Sequence, residues 1–234
     1  MKSLVKFEAE LFQRFSRLMV VRLDFNYHKA TFTPEEIDEI MREQVCHKAQ
    51  DLATFFAGEN TSTPSKIEGR VAFEEVQKDR KRFFTNVKGK PSLFKELVGY
   101  VWSIECGHVA GYHLHVMLFF NGAKVQKHQF LAQEIGQYWA DSITQGRGYF
   151  ENCNLNEKKY GDDWAMGEVN YWDSAKREKL RYTMQYFCKT NQLVQVIPYS
   201  GCRLFGCGFV HRQHKLPGGR PRTKGVAGHE NQRL

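Results

Sequence analysis

Two neighbouring segments at the centre of the chain have the composition of paired β-strands. Residues 98–105 and residues 113–120 are rich in β-branched and aromatic side chains, which favour extended structure. The short segment between them contains Gly107 and Gly111, and a loop of this kind is compatible with a β-hairpin. The sequence therefore predicts an antiparallel strand pair at the centre of the fold.

The rest of the chain mixes helical patterns with further strands. A mostly buried strand is predicted at residues 17–25 and a last one at residues 193–197. Helices are predicted at residues 5–17, 33–56, 73–86, 125–143 and 175–190, the last capped by Asp173 or Ser174. This order is typical of an α+β protein in which helices flank an antiparallel sheet.

Composition and charge suggest a folded domain with a polyanionic partner. Of the 234 residues, 41% are hydrophobic, which is enough for a sizeable core. The net charge is +8, and such a balance favours nucleic acid as a partner. The predicted domain covers residues 1–200. Residues 201–234 are predicted to be a Gly-rich basic tail, because residues 203–234 hold seven Lys or Arg and one acid.

The same composition argues against a membrane protein or a secreted one. No apolar run approaches the length of about 18 residues that a membrane span needs. The first fifteen residues carry too many charges for a secretory signal, and the six Cys show no compact disulfide framework. We therefore expect a cytoplasmic protein that does not contact a membrane.

The central hairpin carries a candidate metal site. Side chains alternate between the two faces of a strand, so His113 and His115 project from one face. Glu105 ends the neighbouring predicted strand and completes a three-ligand set if the two strands pair. Such a set holds a divalent ion and leaves positions open for a substrate oxygen or water.

A second candidate site lies on the predicted helix at residues 175–190. Tyr182 and Tyr186 are four residues apart and share a helix face, and Lys189 lies near that face. A phenol is a weak nucleophile while it is neutral, and a nearby cation favours the phenolate. Core packing is the other interpretation of two aromatic residues at this spacing.

These two sites together resemble the motifs of HUH endonucleases. The residues from Glu105 to Leu118 resemble the metal motif of that superfamily, and Tyr182 to Lys189 resemble its nucleophile motif. Within the superfamily, the chain is most similar to rolling-circle replication initiators of small phages, notably the inovirus replication-protein-like group found in prophages. The order of the motifs is that of replication initiators, since relaxases place the tyrosine near the N-terminus.

The resemblance implies an RRM-like antiparallel core and Mg²⁺ or Mn²⁺ as the working ion. It also implies nicking and rejoining of single-stranded or melted origin DNA, through a covalent 5′-phosphotyrosine and a free 3′-hydroxyl. Tyr186 is the expected main nucleophile, because it forms the Tyr-x-x-Lys pattern with Lys189. Tyr182 is either a second nucleophile or a packing neighbour. The sequence contains no Walker-type lysine loop, so a host helicase and polymerase are the expected partners.

Other interpretations of the sequence remain open. A DNA-binding regulator that keeps the fold without nicking is the main alternative, and a metal oxygenase with two His and one carboxylate ranks below it. Cys202, Cys207, His211 and His214 form an unusual candidate zinc set. Residues 80–84 combine three basic and two aromatic side chains that could line a DNA groove, although an amphipathic helix with a solvated basic face is the preferred interpretation.

Overall fold

The computed structural model describes residues 2–28, 71–107, 111–189 and 202–210, together with five single positions between residues 38 and 46. The helix predicted at residues 33–56 lies largely outside the described residues. The strand predicted at residues 193–197 and the tail beyond residue 210 lie entirely outside them. No helix within the described ranges has the length and apolar character needed to cross a membrane.

Six strands form one antiparallel sheet in the described part of the chain. They are β1 (Arg17–Tyr27), β2 (Leu97–Gly107), β3 (Gly111–Asn121), β4 (Gly148–Asn152), β5 (Gly167–Asn170) and β6 (Phe205–Phe209). Their order across the sheet is β4-β1-β3-β2-β6, and β5 pairs with β1 beside β4. The predicted strands at residues 17–25, 98–105 and 113–120 are confirmed, as is the α+β fold class with an antiparallel sheet flanked by helices.

Helices cover both faces of this sheet. They are α1 (Lys2–Arg14), α2 (Phe73–Asn86), α3 (Pro91–Phe94), α4 (His128–Tyr138), α5 (Glu157–Tyr160) and α6 (Ser174–Lys189), with 3-10 turns at Val87–Gly89, Cys153–Leu155 and Gly161–Asp163. The single helix predicted at residues 125–143 is instead α4 followed by a π-helical turn, Trp139–Ile143. The predicted cap of α6 is Asp173, whose carboxylate accepts a hydrogen bond from the backbone N–H of Lys176 at 2.9 Å.

One face of the sheet packs against α2 and α4. Alternate residues of β1 point to this face, and Phe25 among them stacks on Trp139 with ring centres 4.4 Å apart. Phe83 of α2 meets the edge of the Phe25 ring at 5.3 Å. All three rings are fully buried, so this layer is a conventional apolar core.

The opposite face packs against α1 and α6. Leu11 of α1 and Met184 of α6 belong to the same buried cluster as Phe119 of β3. Because side chains alternate along a strand, the even-numbered residues of β1 and the odd-numbered residues of β3 face these two helices. The polar residues considered below lie on this face, towards the Tyr27 end of β1.

A buried carboxylate joins α1 to α6. Glu8 is 1% exposed, and its two oxygens lie 2.7 and 3.2 Å from Nε and Nη2 of Arg177. Arg181, one turn further along α6, approaches the same carboxylate at 3.6 Å. A paired and hydrogen-bonded charge of this kind is costly to break, so Glu8 fixes α6 relative to α1.

Strand β6 differs from the sequence prediction. Phe205–Phe209 fall in the segment assigned to the basic tail, yet they pair with β2 along five residues. The two glycines of this strand are explained by the aromatic rings of β2. A Cβ on Gly206 would meet the Trp102 ring at 2.7 Å, and one on Gly208 would meet the Tyr100 hydroxyl at 2.8 Å. The glycines that suggested a loop therefore make room for aromatic rings on the neighbouring strand.

Candidate metal centre

Three side chains that the sequence predicts as metal ligands converge on one point. Glu105 of β2 lies directly opposite His113 of β3 in the strand register. The Nε2 atom of His113 lies 3.7 Å from Oε2 of Glu105, and Nε2 of His115 lies 3.2 Å from Oε1. One ligand atom from each residue falls within 4.8 Å of the others, which is compatible with binding of a single ion.

The donor set suits a divalent cation. It consists of two imidazole nitrogens and one carboxylate, and the three side chains are only 11–14% exposed. Three protein ligands leave coordination positions for water or substrate. Among the described residues, this is the one group of at least three His, Cys, Asp or Glu side chains with the spacing of a metal site.

Each histidine is oriented by a hydrogen bond at its other nitrogen. His115 Nδ1 lies 2.6 Å from Oδ1 of Asp24, and His113 Nδ1 lies 3.0 Å from the carbonyl oxygen of Gly111. Metal-binding histidines usually have such a partner, which sets the tautomer and the direction of the ring. Here both Nε2 atoms are left to face Glu105.

Asp24 is a residue that the sequence analysis missed. It belongs to β1 and pairs with His115 across the β1–β3 register, 91 residues away in the chain. A signal was present: Arg22 and Asp24 are charged residues at alternate positions of the otherwise apolar segment 18–25. Buried charges in a strand need partners, and both side chains lie on the face of the sheet that carries the histidines.

The protonation of the two histidines differs in the absence of metal. Burial opposes a charge on His115, but the Asp24 carboxylate and the bonds to Asp24 and Glu105 raise its pKa to about 9. Burial and the nearby His115 charge lower the pKa of His113 below its ordinary value. Asp24 is buried as well, yet His115 and Arg22 hold the pKa of its carboxyl below the ordinary range. A metal ion would replace a proton on His115.

Helix α6 covers this centre with the residues of the predicted nucleophile motif. The Phe187 ring packs on His115, with ring centres 6.0 Å apart. Tyr186, the preceding residue, is 48% exposed and Tyr182 is 53% exposed. These exposures exclude core packing as the role of either tyrosine. The helix ends at Lys189, whose side chain lies outside the described part of the structure.

Arg22 occupies the space between the centre and the helix. Its guanidinium carbon lies 5.4 Å from the ring centres of both Tyr160 and Phe187. Burial by itself lowers the pKa of Arg22, but the surrounding acidic groups, which include Asp24 and the Tyr186 phenol, raise it overall. Arg22 thus lies against Phe187, the residue that follows Tyr186 on α6.

Two other sites predicted from sequence receive less support. Of the candidate zinc ligands, Cys202 is partly exposed and Cys207 is exposed, while His211 and His214 lie outside the described residues. In the basic and aromatic segment of α2, Phe83 is fully buried. The Arg80 guanidinium lies 4.1 Å from the Trp102 ring centre. This segment has the packing of an amphipathic helix.

The fold and the site define a class of protein. It is an α+β domain whose antiparallel sheet carries a candidate divalent-metal centre beneath a helix with exposed tyrosines. The model of the YagK/YfjJ C-terminal domain family matches residues 2–208. The match spans most of the chain, and the protein therefore belongs to that family. No curated protein matches the chain significantly.

Proposed function

We propose that this protein is a replication initiator that nicks single-stranded origin DNA by tyrosine attack beside a divalent metal ion. The observation that carries the proposal is the position of α6. This helix places Phe187 against the metal ligand His115 and leaves the adjacent Tyr186 half exposed. An exposed tyrosine one residue from the contact between α6 and the candidate metal centre supports the proposal.

The donor set can hold a divalent cation, and we propose Mg²⁺ or Mn²⁺ because the resemblance to HUH endonucleases implies these ions. Glu105, His113 and His115 would hold the ion, which would supply Lewis-acid polarisation of a phosphate. The protein's part is to hold these ligands in place. Asp24 and the Gly111 carbonyl do so by keeping both Nε2 atoms directed at Glu105.

The proposed reaction is a transesterification, in which a phosphate of the DNA is transferred from a 3′-oxygen to a tyrosine oxygen of the protein. The phenol oxygen of Tyr186 forms a bond to phosphorus, and the bond from phosphorus to the 3′-oxygen breaks. The phenol proton is released, and the departing oxygen takes up a proton to become a 3′-hydroxyl. Rejoining is the reverse, with a 3′-hydroxyl attacking the phosphotyrosine. In this scheme Lys189 contributes a positive charge near the phosphate.

The structure favours Tyr186 over Tyr182 as the nucleophile. Tyr186 directly precedes Phe187, whose ring packs on His115 and lies 5.4 Å from the guanidinium carbon of Arg22. Tyr182 is four residues earlier, about 6 Å further along the helix. Its exposure leaves room for a role as a second nucleophile.

We also propose a cellular location, a substrate and host partners for the protein. We place the protein in the cytoplasm of a bacterium that carries a phage or prophage. The substrate is single-stranded or melted origin DNA, a polyanion that matches the net charge of +8. A host helicase and a host polymerase would separate the strands and extend the 3′-hydroxyl.

A covalent-adduct assay tests this function. The full-length protein is incubated with Mn²⁺ and a pool of single-stranded oligonucleotides of randomised sequence, labelled at the 3′ end. We expect a labelled protein band that survives SDS and disappears with a chelator, because the 3′ fragment stays attached through its 5′-phosphate. Binding of the pool without any adduct would instead identify a DNA-binding regulator.

Matched variants assign the residues. Tyr186→Phe should abolish the adduct, whereas Tyr182→Phe should retain it. Glu105→Gln should abolish it by weakening metal binding. The reverse result for the two tyrosines would overturn the choice of nucleophile but leave the proposed activity intact.

A further inference from the structure

Arg22 is a buried cation with unused hydrogen-bonding capacity. Its side chain is 10% exposed, and within the described structure its Nε atom is buried without a hydrogen-bond partner. The nearest carboxylate oxygen is Oδ1 of Asp24, at 3.6 Å from Nε. That distance is too long for a hydrogen bond, and the same oxygen already lies 2.6 Å from His115 Nδ1.

This arrangement is unfavourable unless another group completes it. A buried charge whose donors are unsatisfied carries a desolvation cost. Asp24 compensates for part of the Arg22 charge. Its shortest contact is to His115, so its ion pair with Arg22 is weaker than its interaction with His115. The rings of Tyr160 and Phe187 flank the guanidinium and limit the directions from which another partner can approach.

The position of Arg22 indicates an anion as that partner. A planar guanidinium with several donors matches the geometry of phosphate oxygens. On one side, Arg22 is linked through Asp24 to the metal ligand His115. On the other side, its guanidinium carbon lies 5.4 Å from the ring centre of Phe187, the residue that follows Tyr186 on α6. A phosphate bound at Arg22 would lie between the metal centre and the segment of α6 that carries Tyr186.

We propose that Arg22 binds the non-bridging oxygens of the phosphate that Tyr186 attacks. This inference rests on the proposed function, since it names the residue that holds the substrate at that site. Arg22 donates hydrogen bonds to the phosphate before attack and keeps them while the Tyr186 oxygen bonds to phosphorus and the 3′-oxygen departs. Its role differs from that of Asp24, which acts through His115 and does not touch the substrate.

The first test measures phosphate binding without any DNA cleavage. The melting temperature of the full-length protein is recorded in Mg²⁺ with inorganic phosphate or with chloride at equal ionic strength. We expect phosphate to raise the melting temperature of the wild type more than that of Arg22→Met, with Arg22→Lys between them. Phosphate stabilises most proteins to some degree, so the comparison is between variants.

Arg17→Met is the matched control for this test. Arg17 begins the same strand, and its guanidinium pairs with Glu168 at 3.4 Å on the surface. This variant should respond to phosphate as the wild type does. An Arg22→Met protein that shows the full wild-type response to phosphate would overturn the proposal.

The second test uses the adduct assay together with Mn²⁺ affinity. Arg22→Met should slow adduct formation by about 100-fold or more, as the loss of one transition-state donor does elsewhere. Its affinity for Mn²⁺ should be unchanged, and Arg22→Lys should restore part of the rate. A wild-type rate in Arg22→Met, or a loss of Mn²⁺ binding that accounts for the slower rate, would contradict a role at the phosphate.

The two tests separate the two proposals. If the wild type forms no adduct with any DNA, the nicking function fails, and the phosphate titration still decides whether Arg22 binds an anion. If the wild type forms the adduct and Arg22→Met does so equally well, the nicking function stands and the role of Arg22 is refuted.

Discussion

Asp24 and His115 are joined by a 2.6 Å contact between a carboxylate oxygen and Nδ1, although 91 residues separate them in the chain. The contact exists because β1 and β3 are neighbours in the sheet and their register places these two residues opposite each other. The contact connects the predicted metal centre to β1, a strand that contributes no predicted metal ligand. Four predictions test how this region works.

Replacement of Asp24 by Asn should weaken metal binding. The Asn side chain has the same size but no charge, so it no longer favours the His115 tautomer that leaves Nε2 available. Loss of such a supporting group typically costs about 10- to 100-fold in metal affinity. Titration calorimetry with Mn²⁺ measures the change. Glu168→Gln, a surface change on β5 opposite the far end of β1, is the control, and equal affinity in the two variants would show that Asp24 does not support the site.

Metal should stabilise the folded protein through the three predicted ligands. A ligand that binds only the folded state adds about 2.7 kcal/mol to the free energy of unfolding at 100 times its dissociation constant. Urea unfolding in Mn²⁺ and in a chelator measures this difference for the wild type. We expect Glu105→Gln to lose most of it. A variant that retained the full difference would show that the ion binds elsewhere.

The stability of the metal-free protein should depend on pH through His115. The pKa of His115 is raised from 6.5 to about 9, so its contribution is complete below pH 6.5 and is lost as the pH rises through 9. The pKa of Asp24 is lowered from 3.8, so its contribution is present above pH 3.8 and is lost as the pH falls further. Urea unfolding in a chelator should show the wild type losing stability between pH 6.5 and 9.

His115→Gln provides the comparison for the pH series. Without an ionisable group at this position, the variant should lack that loss of stability between pH 6.5 and 9. A slope identical to that of the wild type would assign the pH dependence to other groups.

Removal of the Glu8 carboxylate should loosen α6. Glu8→Ala leaves Arg177 without its buried partner, and breaking a buried pair of this kind costs about 3 kcal/mol or more. Denaturant unfolding measures the loss. Glu10→Ala is the control on the same helix, because Glu10 is partly exposed and pairs with Lys6 at 4.0 Å. An exposed pair contributes at most about 1 kcal/mol, so equal losses in the two variants would contradict the role of Glu8.

The candidate metal ligands were predictable because their arrangement is local. Strand alternation places His113 and His115 on one face, and a short loop leads back to Glu105 on the paired strand. The structure confirms that these three side chains meet. That they bind Mg²⁺ or Mn²⁺, and that Tyr186 attacks DNA beside them, remain predictions.

The glycines of β6 show where local patterns mislead. In sequence, Gly206 and Gly208 resemble loop residues in a basic tail. In the structure they lie against Trp102 and Tyr100, more than 100 residues earlier, where any larger side chain would collide. The reason for these glycines is found in another strand, so no pattern within their own segment reveals it.

The sequence by itself determined the features that depend on periodicity and short loops: the fold class, the central hairpin, and the three converging ligands. Only the tertiary structure decided which distant residues complete the site. The pairing of β1 with β3 brings Asp24 to His115, and the docking of α6 brings Phe187 to Arg22 and His115. Such contacts depend on strand register and helix packing over long stretches of chain, which are set by the burial of both faces of the sheet together and not by any one segment.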